Sequence, residues 1–178
     1  TPSLFSGQTT VRHGVDTFGK KVAPQLPLLP EILSSAGFAT GSFITNVNAG
    51  PAAGLDRGFQ HLHDAIKTFK DANARRTVPL KPIETWLDSV DKRPFFLYVH
   101  TAEPHRPYNP PKRFQSRFAT GYAGSLTGVY RGEYGYEHAK TKEEVAHIQS
   151  LYDGEIALAD TGFESLLNLL QKKGYQDN

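Results

Sequence analysis

The sequence predicts an α/β fold: a mainly parallel sheet flanked by helices. Three observations carry this expectation. Segments with strand character at 38–47 and 95–100 are each preceded by a segment of helical periodicity, the order of βαβ crossovers. The run Phe95 to Val99 is continuously apolar rather than alternating, which suits a central strand of a parallel sheet covered on both faces. Thr141 to Gly174 carries apolar residues at spacings of three and four, the mark of a long amphipathic helix.

Taken in order, residues 3–14 (SLFSGQTTVRHG) predict a short helix and a turn, and 15–27 a loop punctuated by Gly19, Pro24 and Pro27. Leu28 to Ala36 predicts a helix with Leu29, Ile32 and Leu33 on one face and Gly37 as its C′ residue. Phe38 to Val47 is rich in β-branched and aromatic residues and predicts a strand. Asn48 to Asp64 is a looping path containing Gly50, Gly54 and Gly58. Ala72 to Val90 holds a helix entered near Pro82, with Ile83, Trp86, Leu87 and Val90 as its apolar face. The strand at 95–100 follows. Residues 107–140 are irregular and rich in Gly, Tyr and Pro, too long for an ordinary connection and too aromatic for a linker. They read as an excursion over a site. In the final helix Thr141 is the N-cap, with Glu143 and Glu144 in the first turn. Its apolar stripe runs Val145, Ile148, Tyr152, Ile156, Ala159, Phe163, Leu166 and Leu170. Gly154 is its weak point, at a cost of about 1 kcal/mol against alanine.

The 178 residues are enough for one domain with a sizeable core. A formal charge of +2 argues against a general nucleic-acid binder. No apolar run approaches the roughly 20 residues of a membrane span. With no cysteine, disulfides, thiolate metal sites and a cysteine nucleophile are excluded within this segment. The chain has no methionine and begins at Thr1, so it is expected to be processed, trimmed, or a piece of something longer.

Chemistry concentrates in Pro94–Pro111, PFFLYVHTAEPHRPYNPP, where the apolar run ends in His100, Thr101, Glu103, His105 and Arg106. In open α/β sheets ligands bind outside the carboxyl ends of the strands. His105 lies there between Pro104 and Pro107, which restrict its backbone. Its imidazole could donate to an anionic oxygen or protonate a leaving group; the alternative is a hydrogen bond to a loop carbonyl. His100 reads as strand-end structure and Arg106, on residue chemistry alone, as a surface residue. Thr45, Asn46 and Asn48 follow the other predicted strand. Asn46 could bind a substrate oxygen, whereas Asn48 reads as turn chemistry. His61-Leu62-His63-Asp64 permits either metal chelation or an edge strand with two exposed imidazoles, the edge strand being the stronger reading. Asp153, Glu155 and Asp160 read as a solvated helix face or as caps of neighbouring loops. Ser3, Ser6, Arg12 and His13 raise a serine nucleophile, but no G-x-S-x-G elbow accompanies them.

Several of these segments together resemble the sulfatase family of the alkaline-phosphatase-like superfamily. SLFSG at 3–7 followed by RHGV at 12–15 is similar to the end of its signature helix. LPEILSSAGFAT at 29–40 resembles L-x-x-x-L-x-x-x-G-Y-x-T, and GLDRGFQ at 54–60 resembles G-x-x-x-G-F. EPHRPYNPP at 103–111 resembles D-P-H-x-P-Y-x-P-P with Glu103 in place of Asp. YDGEIALAD at 152–160 resembles Y-D-x-E-I-x-x-x-D, and LLQKKGYQDN at 169–178 the approach to the next core strand.

The resemblance implies a partial alkaline-phosphatase-like fold, with residues 1–178 an internal part of a sulfatase catalytic domain. It implies hydrolysis of a sulfated small molecule or carbohydrate by a formylglycine nucleophile, with a divalent cation, commonly calcium, as Lewis acid and template. His105 matches a family active-site position, and with Arg106 and Asn46 forms the expected substrate-binding set. No metal ligand is assigned within the chain. The C-x-P-x-R nucleophile motif is absent, as is the Lys-x-His segment after the 39–47 strand, where this chain has TNVNAG with Asn46 as the nearest substitute. The isolated chain is therefore expected to be inactive. A phosphate- or phosphonate-ester hydrolase and a catalytically silent binding domain are the alternatives. Export to the periplasm or outside the cell is expected from family habit alone.

Overall fold

The computed structural model describes residues 1–65, 77–129 and 135–175. They divide into two compact units, Thr1–Thr101 and Ala102–Asn178. In the first unit α1 (Pro2–Ser6), α2 (Thr10–His13) and α3 (Leu29–Ser35) precede β1 (Ala39–Ile44), followed by β2 (His61–Asp64), α4 (Leu80–Ser89) and β3 (Phe95–His100). The sheet has order β2-β1-β3 with both pairings parallel. Gly41 opposes His61 on one side and Leu97 on the other. The parallel α/β architecture is as expected.

Two assignments are corrected. The central strand is β1, which is buried throughout, and not the 95–100 run, whose residues are half-buried. A continuous apolar run reports burial on both faces but not the number of hydrogen-bonded neighbours. The segment 61–64, which ends the looping path, is the edge strand β2, in line with the edge-strand reading of its His-x-His alternation. The strand from 38 also ends earlier than its composition predicts: past Ile44 a 3-10 turn spans Val47–Ala49, capped by the Asn46 side chain, which accepts from the Asn48 amide at 3.0 Å.

One side of the sheet carries a cluster of Phe5, Val22, Leu28, Ala53 and Leu55, against which Phe59, Phe96 and Tyr98 pack. Aromatic contacts knit it, with Phe5–Tyr98 ring centroids 4.8 Å apart and edge-to-face. Ile83, Trp86, Leu87 and Val90 of the α4 segment are all buried, as its periodicity predicts, and the helix begins at Leu80, close to the expected entry near Pro82; residues 72–76 of the segment lie outside the described residues. In α3 the expected face is only partly right: Leu29 and Leu33 are half-buried, but Ile32 is 56% exposed.

The GLDRGFQ segment serves a structural purpose. Thr40 on β1 donates its hydroxyl to the Gly58 carbonyl at 2.6 Å and accepts from the Gln60 amide at 3.0 Å. Gly58 has φ +81° and lies so close to the backbone of Pro30 and Glu31 that a Cβ would collide with it. Arg57 donates to the carbonyls of Pro24 and Leu26 at 2.6 and 2.8 Å, tying down the 15–27 loop, and the Val22 amide donates to Ala53 at 3.1 Å.

In the second unit α5 (Lys112–Gln115) packs on α6 (Lys142–Lys172). Thr141 and Glu144 form a reciprocal capping box at the start of α6. The length of α6 was legible; its buried face was legible only in part, Leu166 of the expected stripe being buried. Leu151, Gly154, Glu155 and Leu166 are buried, while Val145, Ile156 and Phe163 are about half exposed. The face turned inward is chosen by Pro110 and Phe114, which accept a glycine better than a large side chain: a Cβ on Gly154 would lie 2.7 Å from Pro110 Cγ. Within the expected irregular region 107–140, the described residues hold α5 and one 3-10 turn, Tyr136–His138.

Candidate functional site

Because β1 and β3 are parallel, their carboxyl ends open on the same edge of the sheet. There the chain leaving β1 presents Asn46 and Asn48, and β3 ends in His100. These three residues line a cleft of about 420 Å³ together with Thr1, the 15–20 loop and Ala52–Ala53, a size suited to a small ligand.

The polar groups of the cleft form one chain of hydrogen bonds. Asn46 Nδ2 lies 3.4 Å from His100 Nε2, His100 Nδ1 lies 2.7 Å from the Tyr98 hydroxyl, and that hydroxyl lies 3.1 Å from Thr1 Oγ1. Its direction follows from one fixed point. Asn46 Oδ1 is held by the Asn48 amide, so the NH₂ group is what faces His100. Nε2 must then accept, and the imidazole proton sits on Nδ1 and is donated to Tyr98. Tyr98 in turn donates to Thr1. Burial pushes the His100 pKa down and the Tyr98 pKa up, so both groups are held neutral, as this pattern requires.

Sequence reasoning had ranked His100 below His105. The structure places His100, with Asn46, in the cleft of the first unit. The signal was present in the strand itself: Tyr98 and His100 are two apart and so share a face.

His105 and Arg106 are exposed residues of the second unit. His105 Nδ1 donates to the Arg106 carbonyl at 2.7 Å, which leaves Nε2 as the basic nitrogen. Arg106 donates to the Tyr136 hydroxyl at 2.9 Å, so it has a specific partner. The loop carrying both is clamped from α6. Glu155, fully buried, accepts from the Asn109 amide at 2.7 Å, and Gly154 lets Pro110 approach. Tyr108 packs edge-to-face on Tyr152 at 5.4 Å. The YDGE run of α6 is thus the support of the PHRPYNPP loop, and Glu155 is the loop cap that its carboxylate permitted. Asp153 is only half-buried and Asp160 is exposed.

The remaining candidates resolve as structure. His13 is buried, its Nδ1 accepts from the Val15 amide at 3.1 Å, and its Nε2 lies 2.8 Å from Ser3 Oγ. The proton is therefore on Nε2 and is donated to Ser3, the reverse of what a base activating serine needs. Ser6 donates to the Pro2 carbonyl at 2.7 Å, and Arg12 is exposed. Of the two imidazoles an edge strand would expose, His61 is exposed as expected and His63 is half-buried. Both pack on Phe43, with centroids at 5.3 and 6.0 Å, and burial lowers both pKa values. Among the described residues no three His, Cys, Asp or Glu side chains converge as a metal site, so the described residues do not by themselves fit a divalent cation.

The family described as Sulfatase matches over residues 1–178. Among solved structures the chain is similar to the phosphonate monoester hydrolase of Agrobacterium radiobacter, at 15% identity and TM-score 0.69, covering 98% of this chain and 50% of that one. It is similar to a Bacteroides thetaiotaomicron protein described in connection with metabolism of multiple glycosaminoglycans, at 15% identity and TM-score 0.62, covering 98% and 45%. It is also similar to the C-terminal periplasmic domain of EptC from Escherichia coli, in complex with Zn, at 13% identity and TM-score 0.60, covering 96% and 44%. No curated protein matches the chain. The chain spans about half the length of these structures, and at such identities the likeness speaks for a shared alkaline-phosphatase-like fold. With the family match running from its first residue to its last, the chain belongs to the sulfatase family.

Proposed function

We propose that this chain is part of the catalytic domain of a hydrolase of sulfate esters. The observation that carries the reading is the meeting of Asn46 and His100 at the carboxyl ends of adjacent parallel strands, the place where this class of sheet binds ligands. On the second unit, His105 is the proton donor to the leaving group and, with Arg106, a donor to ester oxygens; on the first unit, Asn46 is an amide donor to an ester oxygen. In the whole protein a formylglycine nucleophile and a divalent cation, calcium by family habit, are held by residues other than those described. The substrate is a sulfated small molecule or carbohydrate, in line with the glycosaminoglycan context of one structural neighbour. A periplasmic or secreted location is consistent with the periplasmic neighbour, and no described helix is long and apolar enough to cross a membrane.

A second reading, hydrolysis of phosphonate or phosphate monoesters, is favoured by the likeness to the Agrobacterium enzyme. The test is turnover of an aryl sulfate and an aryl phosphonate monoester by the full-length protein with added calcium. A preference for the sulfate is expected, together with loss of most activity in His105→Ala. A preference for the phosphonate selects the second reading, and no turnover of either makes the domain a binding module. The isolated 178-residue chain is expected to turn over neither.

A further inference from the structure

The Asn46–His100 pair has a property that neither residue has alone. With Asn46 Oδ1 held by the Asn48 amide, a proton on His100 Nε2 would face the Asn46 NH₂ group, donor against donor, 3.4 Å away. The empty imidazole therefore stays neutral for a geometric reason. A tetrahedral oxyanion in the cleft changes this. One anionic oxygen can accept from Asn46 Nδ2 and, once Nε2 is protonated, from His100 as well. The second donor exists only when the anion is there to receive it.

We propose that His100 is a proton-coupled anion-binding residue: a tetrahedral oxyanion entering the cleft is bound together with one proton, taken from solvent onto the Nε2 lone pair and returned when the anion leaves. The inference rests on the ester-hydrolase reading for its choice of anion. Tyr98 makes the uptake feasible. It already accepts the Nδ1 proton at 2.7 Å and passes its own to Thr1, so the imidazolium keeps a partner at Nδ1. The other charged side chains lining the cleft are Asp16 and Lys20, paired at 2.7 Å. Lys20 adds attraction for the anion; Asp16 competes with the anion for Lys20. Neither is hydrogen-bonded to His100, so neither supplies its proton.

The probe is inorganic sulfate, whose charge is constant across the histidine range. The full chain is titrated with it while the His100 ring nitrogens are followed by ¹⁵N NMR. On saturation Nε2 is expected to move from an acceptor to a donor shift, and the sulfate affinity to fall about tenfold per pH unit above the His100 pKa. His100→Gln is expected to bind more weakly and to lose that slope. Should this variant fail to fold, Asn46→Asp tests the same linkage without ligand, because a carboxylate beside Nε2 should raise the His100 pKa and protonate it in the free chain. Saturating sulfate that leaves Nε2 an acceptor, an affinity flat with pH, an unchanged slope in His100→Gln, or an unshifted His100 in Asn46→Asp each overturns the proposal. Because the readout is binding, a protein that takes up sulfate and proton but hydrolyses no ester sinks the hydrolase reading and leaves this one standing.

Discussion

Replacing Gly154 by alanine sets two effects of known size against each other. In an ordinary helix interior the change stabilises by about 1 kcal/mol. At this position the new methyl would sit 2.7 Å from Pro110 Cγ, 3.3 Å from Pro110 Cβ and 3.6 Å from the Phe114 carbonyl carbon. Carbon contacts are comfortable near 3.5–4.0 Å, so Pro110 would have to retreat by about 1 Å. It is poorly placed to do so: its ring is stiff, the Asn109 amide is bonded to Glu155, and Gln115 donates to the Pro110 carbonyl at 2.6 Å. Overpacking of this kind costs about 1–3 kcal/mol. The net expectation is a loss of up to about 2 kcal/mol, or roughly 2–4 °C in Tm per kcal/mol for a chain of this size. Urea denaturation of Gly154→Ala, Pro110→Ala and the double variant reads the coupling directly. With the proline ring gone, Gly154→Ala should become neutral or stabilising. If it raises Tm in the unaltered chain, or costs the same in both backgrounds to within about 0.5 kcal/mol, the close-approach explanation of this glycine is wrong.

Two further outcomes are expected. Glu155→Ala should destabilise by about 1–3 kcal/mol, the range for a lost hydrogen bond that leaves its partner unsatisfied, and should speed proteolysis of the 103–111 loop; Glu155→Gln, which keeps an acceptor, should recover part of both. Stability should also fall on mild acidification. His61, His63 and His100 all have pKa values pushed below the ordinary 6.5 by burial, so below that value the unfolded chain binds more protons than the folded one. Their contribution is complete above about pH 6.5 and is lost as pH drops through the folded values. The urea midpoint should decline from pH 7.5 to 5.5, and each His→Gln variant should flatten the decline; a midpoint that rises on acidification contradicts the sign.

Local signals were legible where a residue's chemistry fixes its own surroundings. The Thr141–Glu144 capping box, the apolar face of α4 and the limits of β3 all belong to this kind. What could not be read was which surface meets which. The apolar stripe of α6 follows helical spacing faithfully, yet the buried face is the one bearing Gly154 and Glu155, because a proline-rich loop rather than a greasy core lies against it. The exchange of rank between the 95–100 segment and β1 has the same origin, since strand order depends on pairings more than fifty residues apart, Ala39 with Phe95 for example. At the site, Asn46 was recognisable as a polar residue after a strand. The importance of His100 depended on the orientation of the Asn46 amide, which only the Asn48 backbone determines.

The anchoring of the 15–27 loop divides one wall of the cleft into two parts with different lifetimes. Beyond Lys21 the wall is fastened to the body by Val22, whose amide is bonded to Ala53, and by the Arg57 guanidinium across Pro24 and Leu26. From Asp16 to Lys20 the one ion pair among the described residues is internal and solvent-exposed, and Phe18 is 81% exposed. Local opening is easiest where buried contacts are few, so the tip can swing while the foot stays closed. In hydrogen exchange the Val22 amide should therefore exchange with the slow amides of the sheet, and those of 17–20 orders of magnitude sooner. A ligand of the cleft would be admitted by the tip alone, at no cost to the folded core.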